Sequence, residues 1–395
     1  MNPFRRQLPV LSPLPLRAVL GSLAGGDPRD DIGLAIQRLF DADRVLLTDS
    51  GTSALALAIR AALAGRREMS CALPAFGCFD LATAALAAGA RVALYDVDPR
   101  TLAPRTSSFE AALRQGCSVA VIVHHFGVPV PMAGLRALAA ASGTLLIEDA
   151  AQALGAHCRD GRVGAGADAT VLSFGRGKGT TAGSGGALLM SAAFAERLGH
   201  SASASALRGS SGRSRLTFTG KLFAQWLLGR PSLYGIPASL PFLGLGETVF
   251  KEPGEPRAML AAAARVLQHT LTGLDMAIAN RRRHAARLRE AQSAYAPDTM
   301  VPIDDAARPG WLRMPFLVSS ARLVDRERAG RLGILPSYPS TLGALESLRR
   351  NLISIVPMEG AATLVERMWT LPTHGSLAER DLVALERWIQ RNGND

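Results

Sequence analysis

The 395-residue chain predicts an α/β protein with a mainly parallel sheet covered on both faces by helices. Short apolar runs alternate with Ala- and Leu-rich stretches of helical length through its first half, the order in which parallel strands are joined by crossover helices. Hydrophobic residues make up 48% of the chain and aromatic residues only 5%, which supplies a large core and excludes general disorder.

The elements follow in order. Residues 44–48 (Arg-Val-Leu-Leu-Thr) read as a strand, and 52–64 as the helix after it. A short strand at 70–73 leads into a second helix at 80–88. Residues 92–95, 118–123 and 144–147 read as three more strands, with a helix at 132–141 between the last two. Residues 169–172 form a further strand before a glycine-rich loop.

From about 203 the alternation stops. Ser, Gly and Arg dominate first, then a proline-punctuated apolar stretch runs over 222–245. This excursion reads either as packed on the protein's own surface or a subunit partner, or as contact with a membrane surface or a lipid-linked substrate. A helical pattern resumes over 256–295, followed by an α+β tail with a strand at 314–318 and a last helix at 378–390. A large domain of residues 1–250 and a small C-terminal domain of 251–395 are expected.

The formal charge of +11 comes from 41 Arg and only three Lys, Lys178, Lys221 and Lys251. The one dense basic run, Arg281-Arg282-Arg283 with Arg287 and Arg289, has helical spacing and reads as a solvated helix face, so nucleic-acid binding is not expected. In a chain that uses Arg for its surface, a retained Lys points to a need for an amine that can lose its proton. The four cysteines have neither zinc-ligand nor disulfide-framework spacing, which fits a reducing cytosol. Arg5-Arg6 precede an apolar run at 8–16, but three prolines and Arg17 interrupt it, so a cleaved leader is not expected. No window of about twenty uncharged apolar residues exists, so a membrane span is not expected and a cytoplasmic location is.

Three motifs carry chemistry. The first is Ser-Phe-Gly-Arg-Gly-Lys-Gly-Thr-Thr-Ala-Gly-Ser-Gly-Gly (173–186), a lysine held among glycines just after a strand. It resembles a phosphate loop, but Gly179 rather than Ser or Thr follows Lys178 and no helical stretch begins there. The second is Ile-Glu-Asp-Ala-Ala-Gln (147–152), which ends a strand on a carboxylate. Asp149 could pair with a protonated pyridine nitrogen, the charge that makes pyridoxal phosphate (PLP) an electron sink, or could cap a following helix. The third is Thr-Asp-Ser-Gly-Thr-Ser-Ala-Leu (48–55), where hydroxyls and free N–H groups at a helix start suit a phosphate or ordinary capping.

Taken together, Ser-Gly-Thr-Ser-Ala-Leu (50–55), Glu-Asp-Ala-Ala-Gln-Ala (148–153) and Ser-Phe-x-x-x-Lys (173–178) resemble the DegT/StrS family of PLP-dependent sugar aminotransferases. Leu-Pro-Ala-Phe (73–76), Ala-Gly-Ala (88–90), Val-His-x-x-Gly (123–127) and Leu-Pro-Thr-His (371–374) fall in the family's order. The resemblance implies the aspartate-aminotransferase fold, with a seven-stranded large domain, a small C-terminal domain and active sites at a homodimer interface. It implies Lys178 as the Schiff-base lysine, Asp149 on the pyridinium and Gln152 beside the ring's phenolic oxygen. Ser50, Gly51, Thr52 and Ser173 would hold the phosphate. An amino-acid donor, usually glutamate, and a nucleotide-linked keto-sugar would be the substrates, in cell-surface polysaccharide or secondary-metabolite biosynthesis. Relatives with His at the lysine position dehydrate instead, and Lys178 argues against that branch.

The departures are specific. Cys78 stands where the family stacks an aromatic on the cofactor, with Phe79 adjacent, and Gly179 stands where Asn commonly follows the lysine. The family's Gly-x-Asn-x-Arg loop, which reaches into the neighbouring site, is not visible. The 222–250 stretch is expected to replace it at a dimer interface, bringing Glu247, Lys251 or Arg257 to the partner's site. Arg257 and His124 are the candidate substrate contacts, although a satisfied histidine at a strand end is the favoured reading of His124. Gly-Arg-Val-Gly-Ala-Gly (161–166) lacks the context of a dinucleotide fingerprint. A PLP-binding protein without turnover, or a PLP enzyme of other chemistry, remains open at this point.

Overall fold

A computed structural model describes residues 5–159, 161–201, 212–239, 248–320, 324–353 and 357–393. The strands expected from apolar runs form one sheet: β1 (Arg44–Thr48), β2 (Ser70–Pro74), β3 (Arg91–Tyr95), β4 (Val119–Val123) and β5 (Leu145–Asp149). A small hairpin of β6 (His157–Cys158) and β7 (Gly161–Arg162) intervenes before β8 (Ala169–Ser173) and β9 (Gly186–Met190) complete it. The order is β1-β9-β8-β5-β4-β2-β3. Pairings from β3 through β8 are parallel, whereas β9 runs antiparallel to both β8 and β1. The sheet is therefore mixed by one strand that the apolar pattern did not single out. The loop of residues 174–185 is too short for a helical crossover and turns straight back on β8.

One consequence positions everything else. Because β1, β2, β4, β5 and β8 all point the same way, their carboxyl ends open on one edge of the sheet, where open α/β sheets bind ligands. The helix Gly51–Leu63 packs on the sheet behind that edge. Nine of its residues are buried, five of them alanines, which lets the helix backbone lie close to β8 and β9.

The C-terminal half adds an antiparallel sheet of β10 (Arg313–Leu317), β11 (Leu335–Pro336) and β12 (Met368–Pro372), in the order β10-β12-β11. The helices Leu274–Tyr295 and Glu379–Gly393 pack on each other beside it. In the latter, Leu382, Leu385, Trp388 and Ile389 are buried at helical spacing. The helical pattern over 256–295 is two helices, Ala261–Leu271 and Leu274–Tyr295, broken at Thr272 and Gly273.

The arginine run is not a solvated face. Arg281 is 3% exposed and donates to the carbonyls of Gly310 at 3.0 Å and Gly179 at 2.9 Å. Arg282 donates to Pro309 and Gly155, and only Arg283 points outward, bonding Asn280. Guanidinium groups supply several donors in a fixed plane, so they satisfy buried loop carbonyls that periodicity cannot reveal.

The described part of the excursion packs one face on the chain itself. Its helix Gly212–Leu228 buries Leu222 against Ala18, Val19 and Val266, and the Arg6 N–H donates to the Pro231 carbonyl at 3.0 Å. Leu222 is thus used inside the subunit, not held open for a second one. Residues 202–211 and 240–247, including Glu247, lie outside the described part.

Candidate active site

The loops at the carboxyl edge of the sheet enclose one cavity. Gly51 and Thr52 reach it from β1, Cys78 from β2, Asp149 and Gln152 from β5, and Ser173 and Lys178 from β8. Seven residues singled out by motif thus meet there from four separate segments.

Strand alternation sorts the two acids of the 148–149 pair. Glu148 points to the far face, where it accepts from His124 Nε2 at 3.1 Å and from the Gly164 N–H at 2.8 Å. Asp149 faces the cavity. No helix follows β5, so the helix-capping role is removed; Asp149 Oδ1 accepts the Ala151 N–H at 2.9 Å within a turn. Burial raises its carboxyl above the ordinary value of 3.8, against the opposing pull of that N–H and of the nearby Lys178. A cationic ring nitrogen beside it would restore the charged form.

The phosphate end is set by close approach. Ser50 caps the helix Gly51–Leu63, its Oγ accepting the Ser53 N–H at 3.1 Å. A Cβ on Gly51 would stand 2.8 Å from Ser173 Cβ, so only glycine lets this helix start meet the end of β8. This helix start, with Thr52 and Ser173 at the cavity wall, could hold a phosphate. Gly179, which replaces the family's Asn, has a similar cause: a Cβ there would lie 2.8 Å from Leu154 Cβ.

Gln152 is pinned from both ends. Its Oε1 accepts the Phe126 N–H and its Nε2 donates to the Tyr338 hydroxyl, each at 2.9 Å. Cys78 lines the cavity where a stacking aromatic was in question, and burial, with Asp80 next, pushes its thiol up to about 12. It is therefore a neutral, polarizable contact.

Several expected site residues stand elsewhere. Phe79 is turned into the core at 5% exposure. His124 is fully buried and both its ring nitrogens are used: Nδ1 accepts the Val130 N–H at 3.0 Å, which leaves Nε2 to donate to Glu148. The assignment of His124 to substrate is corrected accordingly, because no ring nitrogen is left for a ligand. Arg257 is exposed on the segment that pairs with β1, its carbonyl accepting the Asp49 N–H at 2.9 Å. Lys251 is exposed, and its carbonyl accepts from Thr83.

Two polar residues of the cavity, Asp80 and Tyr338, were missed. Asp80 begins the helix Asp80–Ala87, and an acid in a first turn reads as a response to the helix dipole. Tyr338 sits in Pro-Ser-Tyr-Pro-Ser (336–340), one of only four tyrosines in the chain, a signal for a placed aromatic in a stiff loop.

The arrangement fits PLP: a cradle for its phosphate, a carboxylate for its ring nitrogen and an amine for its carbonyl carbon. Comparisons with known proteins agree. The L-glutamine:2-deoxy-scyllo-inosose aminotransferase of Streptoalloteichus tenebrarius is 30% identical over 277 residues, 70% of this chain and 58% of that protein. The chain thus spans less than two thirds of that relative's length. AtS13 from Actinomadura melliaura has the same fold, with a TM-score of 0.74 at 20% identity, covering 98% of this chain and 99% of that one. So does Spr1654 from Streptococcus pneumoniae in its PLP form, with a TM-score of 0.72 at 16% identity, covering 97% and 98%. The family model for DegT/DnrJ/EryC1/StrS aminotransferases matches residues 20–385, and the chain belongs to that family.

Proposed function

We propose that the protein is a PLP-dependent aminotransferase that moves an amino group from glutamate to a keto-sugar carried on a nucleotide. The observation that carries this reading is the convergence of Lys178, Asp149 and Gln152 with the Gly51–Thr52–Ser173 cradle in one cavity. When bound, PLP supplies an electron sink for the carbanion formed next to the transferred nitrogen.

The chain's residues do the rest. Gly51, Thr52 and Ser173 fix the phosphate against the helix start. Asp149 keeps a proton on the ring nitrogen by offering it a buried negative charge. Lys178 Nζ holds the cofactor between turnovers. Once released from it, the same amine would be the group that moves a proton off the donor's Cα. Gln152, held by Phe126 and Tyr338, orients the ring's oxygen edge. A homodimer belongs to this reading, with Arg257 as the group one subunit offers the other.

The named reaction of the Streptoalloteichus relative favours a second donor and acceptor pair, glutamine and a keto-cyclitol. Purified protein is incubated with PLP, reduced with borohydride and mapped, with the adduct expected on Lys178. An adduct on Lys221 or Lys251 overturns the assignment. Amino transfer is then assayed with glutamate or glutamine against nucleotide keto-sugars and keto-cyclitols. Absence of transfer from either donor, with the adduct in place, would mark a PLP-binding protein of other chemistry.

A further inference from the structure

We propose that the helix Gly212–Leu228, with the N-terminal segment it packs on, docks this protein peripherally on an anionic phospholipid bilayer. The inference goes beyond the aminotransferase reading and does not depend on it.

The charge pattern is the first observation. The chain holds 33 Asp and Glu, about one residue in twelve, yet residues 197–246 contain none and carry six Lys and Arg. Residues 1–26 likewise contain no Asp or Glu and carry three Arg. The fold brings described parts of these two acid-free segments together. Ser22 and Thr219 share a hydrogen bond at 3.0 Å, and Arg215 donates to the carbonyls of Leu23 and Ala24. Asp27, the acid that follows residues 1–26, is paired with Arg29.

The second observation is the outer face of the helix. Leu222, with Phe218 and Trp226 beside it, packs inward on Ala18 and Val19. Leu216, Phe223 and Leu227 form a separate stripe seven and four residues apart, and a helix of 3.6 residues per turn puts them within about 40° of one another. They stay open, at 73%, 47% and 37% exposure. Leu23, whose carbonyl Arg215 bonds, is a further exposed apolar residue at 50% exposure. Lys221 is exposed on the same helix, and Arg230 stacks on Trp226 with its carbon 4.5 Å from the ring centroid.

A stripe of Leu and Phe flanked by Lys and Arg, in segments whose sequence carries no carboxylate, is the chemistry of a helix lying in a headgroup layer. A second copy of this chain fits worse. An isologous contact would set Lys221, Arg215 and Arg230 against themselves with no acid to pair them. A span is excluded for the described helices, none of which is long and apolar enough to cross a membrane. Gly183, in the Lys178 loop, lies against Phe218 and Leu222, so docking would hold that loop close to the bilayer.

The test is vesicle flotation of the full chain. Protein should float with phosphatidylcholine vesicles containing phosphatidylglycerol, not with phosphatidylcholine alone, and added salt should weaken the binding. Leu216→Ser with Phe223→Ser should lower the partition roughly tenfold or more, since the lost apolar burial is the main attraction. Lys221→Glu should lower it several-fold. If the double variant unfolds, Phe223→Trp serves instead, and its emission should shift to the blue when anionic vesicles are added. No flotation, equal binding to neutral vesicles, or a folded double variant that binds unchanged overturns the proposal. So does self-association that the same substitutions abolish, which would assign the stripe to a second copy.

Discussion

Gln152 donates its side-chain N–H to the hydroxyl of Tyr338 at 2.9 Å, across 186 residues of chain, and so ties the turn after β5 to the loop that follows β11. The same amide accepts the N–H of Phe126, a non-glycine residue held in the left-handed region at φ 57°. Gln152→Leu should strand that buried N–H and cost about 1–3 kcal/mol in denaturant unfolding. Tyr338→Phe should cost about 1 kcal/mol, and the two changes should couple rather than add. Simple additivity would mean that the bond does not act as a unit.

Asp149→Asn keeps the shape of the cavity but cannot balance a cationic ring nitrogen. Turnover is expected to fall about a thousandfold, near 4 kcal/mol of barrier, while some PLP is retained. Single-turnover kinetics on the loaded variant checks this. A rate near wild type would reduce Asp149 to holding the Ala151 N–H.

Gly51→Ala places a methyl group 2.8 Å from Ser173 Cβ and 3.0 Å from its Oγ. Overpacking of this kind costs about 1–3 kcal/mol and pushes the helix start off the end of β8. PLP affinity, followed by fluorescence titration, should fall at least tenfold. Unchanged affinity would move the phosphate away from this cradle.

Acid stability offers an independent check. Burial, with His124 nearby, lowers His125 from 6.5 to about 3, and burial lowers His374 from 6.5 to about 4. As pH falls below 6.5 the unfolded chain binds these protons and the native one does not, so stability is lost from there down to each lowered value. Each histidine should contribute a slope of about 1.4 kcal/mol per pH unit. His125→Phe keeps the aromatic contacts with Phe76 and Tyr338 and should remove one such slope. Unfolding midpoints measured across that window decide it, and an unaltered slope would show that His125 is not buried neutral.

The sequence by itself determined the alternation of strands and helices, because apolar period reports local burial. It also singled out the amine, since only three lysines exist and one sits among glycines after a strand. Asp149 was legible as a carboxylate ending a buried strand, but its freedom from helix capping was not, because that depends on the path the chain takes after β5. Tertiary structure alone decided that β9 runs antiparallel, that Arg281 turns inward to hold the Gly179 carbonyl, and that His124 has no nitrogen to spare. It alone brought Asp80 and Tyr338 to the cavity. The physical reason is common to all of these. Periodicity records which face of an element is buried, whereas the partner it is buried against is fixed only when distant segments close over the same carboxyl edge of the sheet.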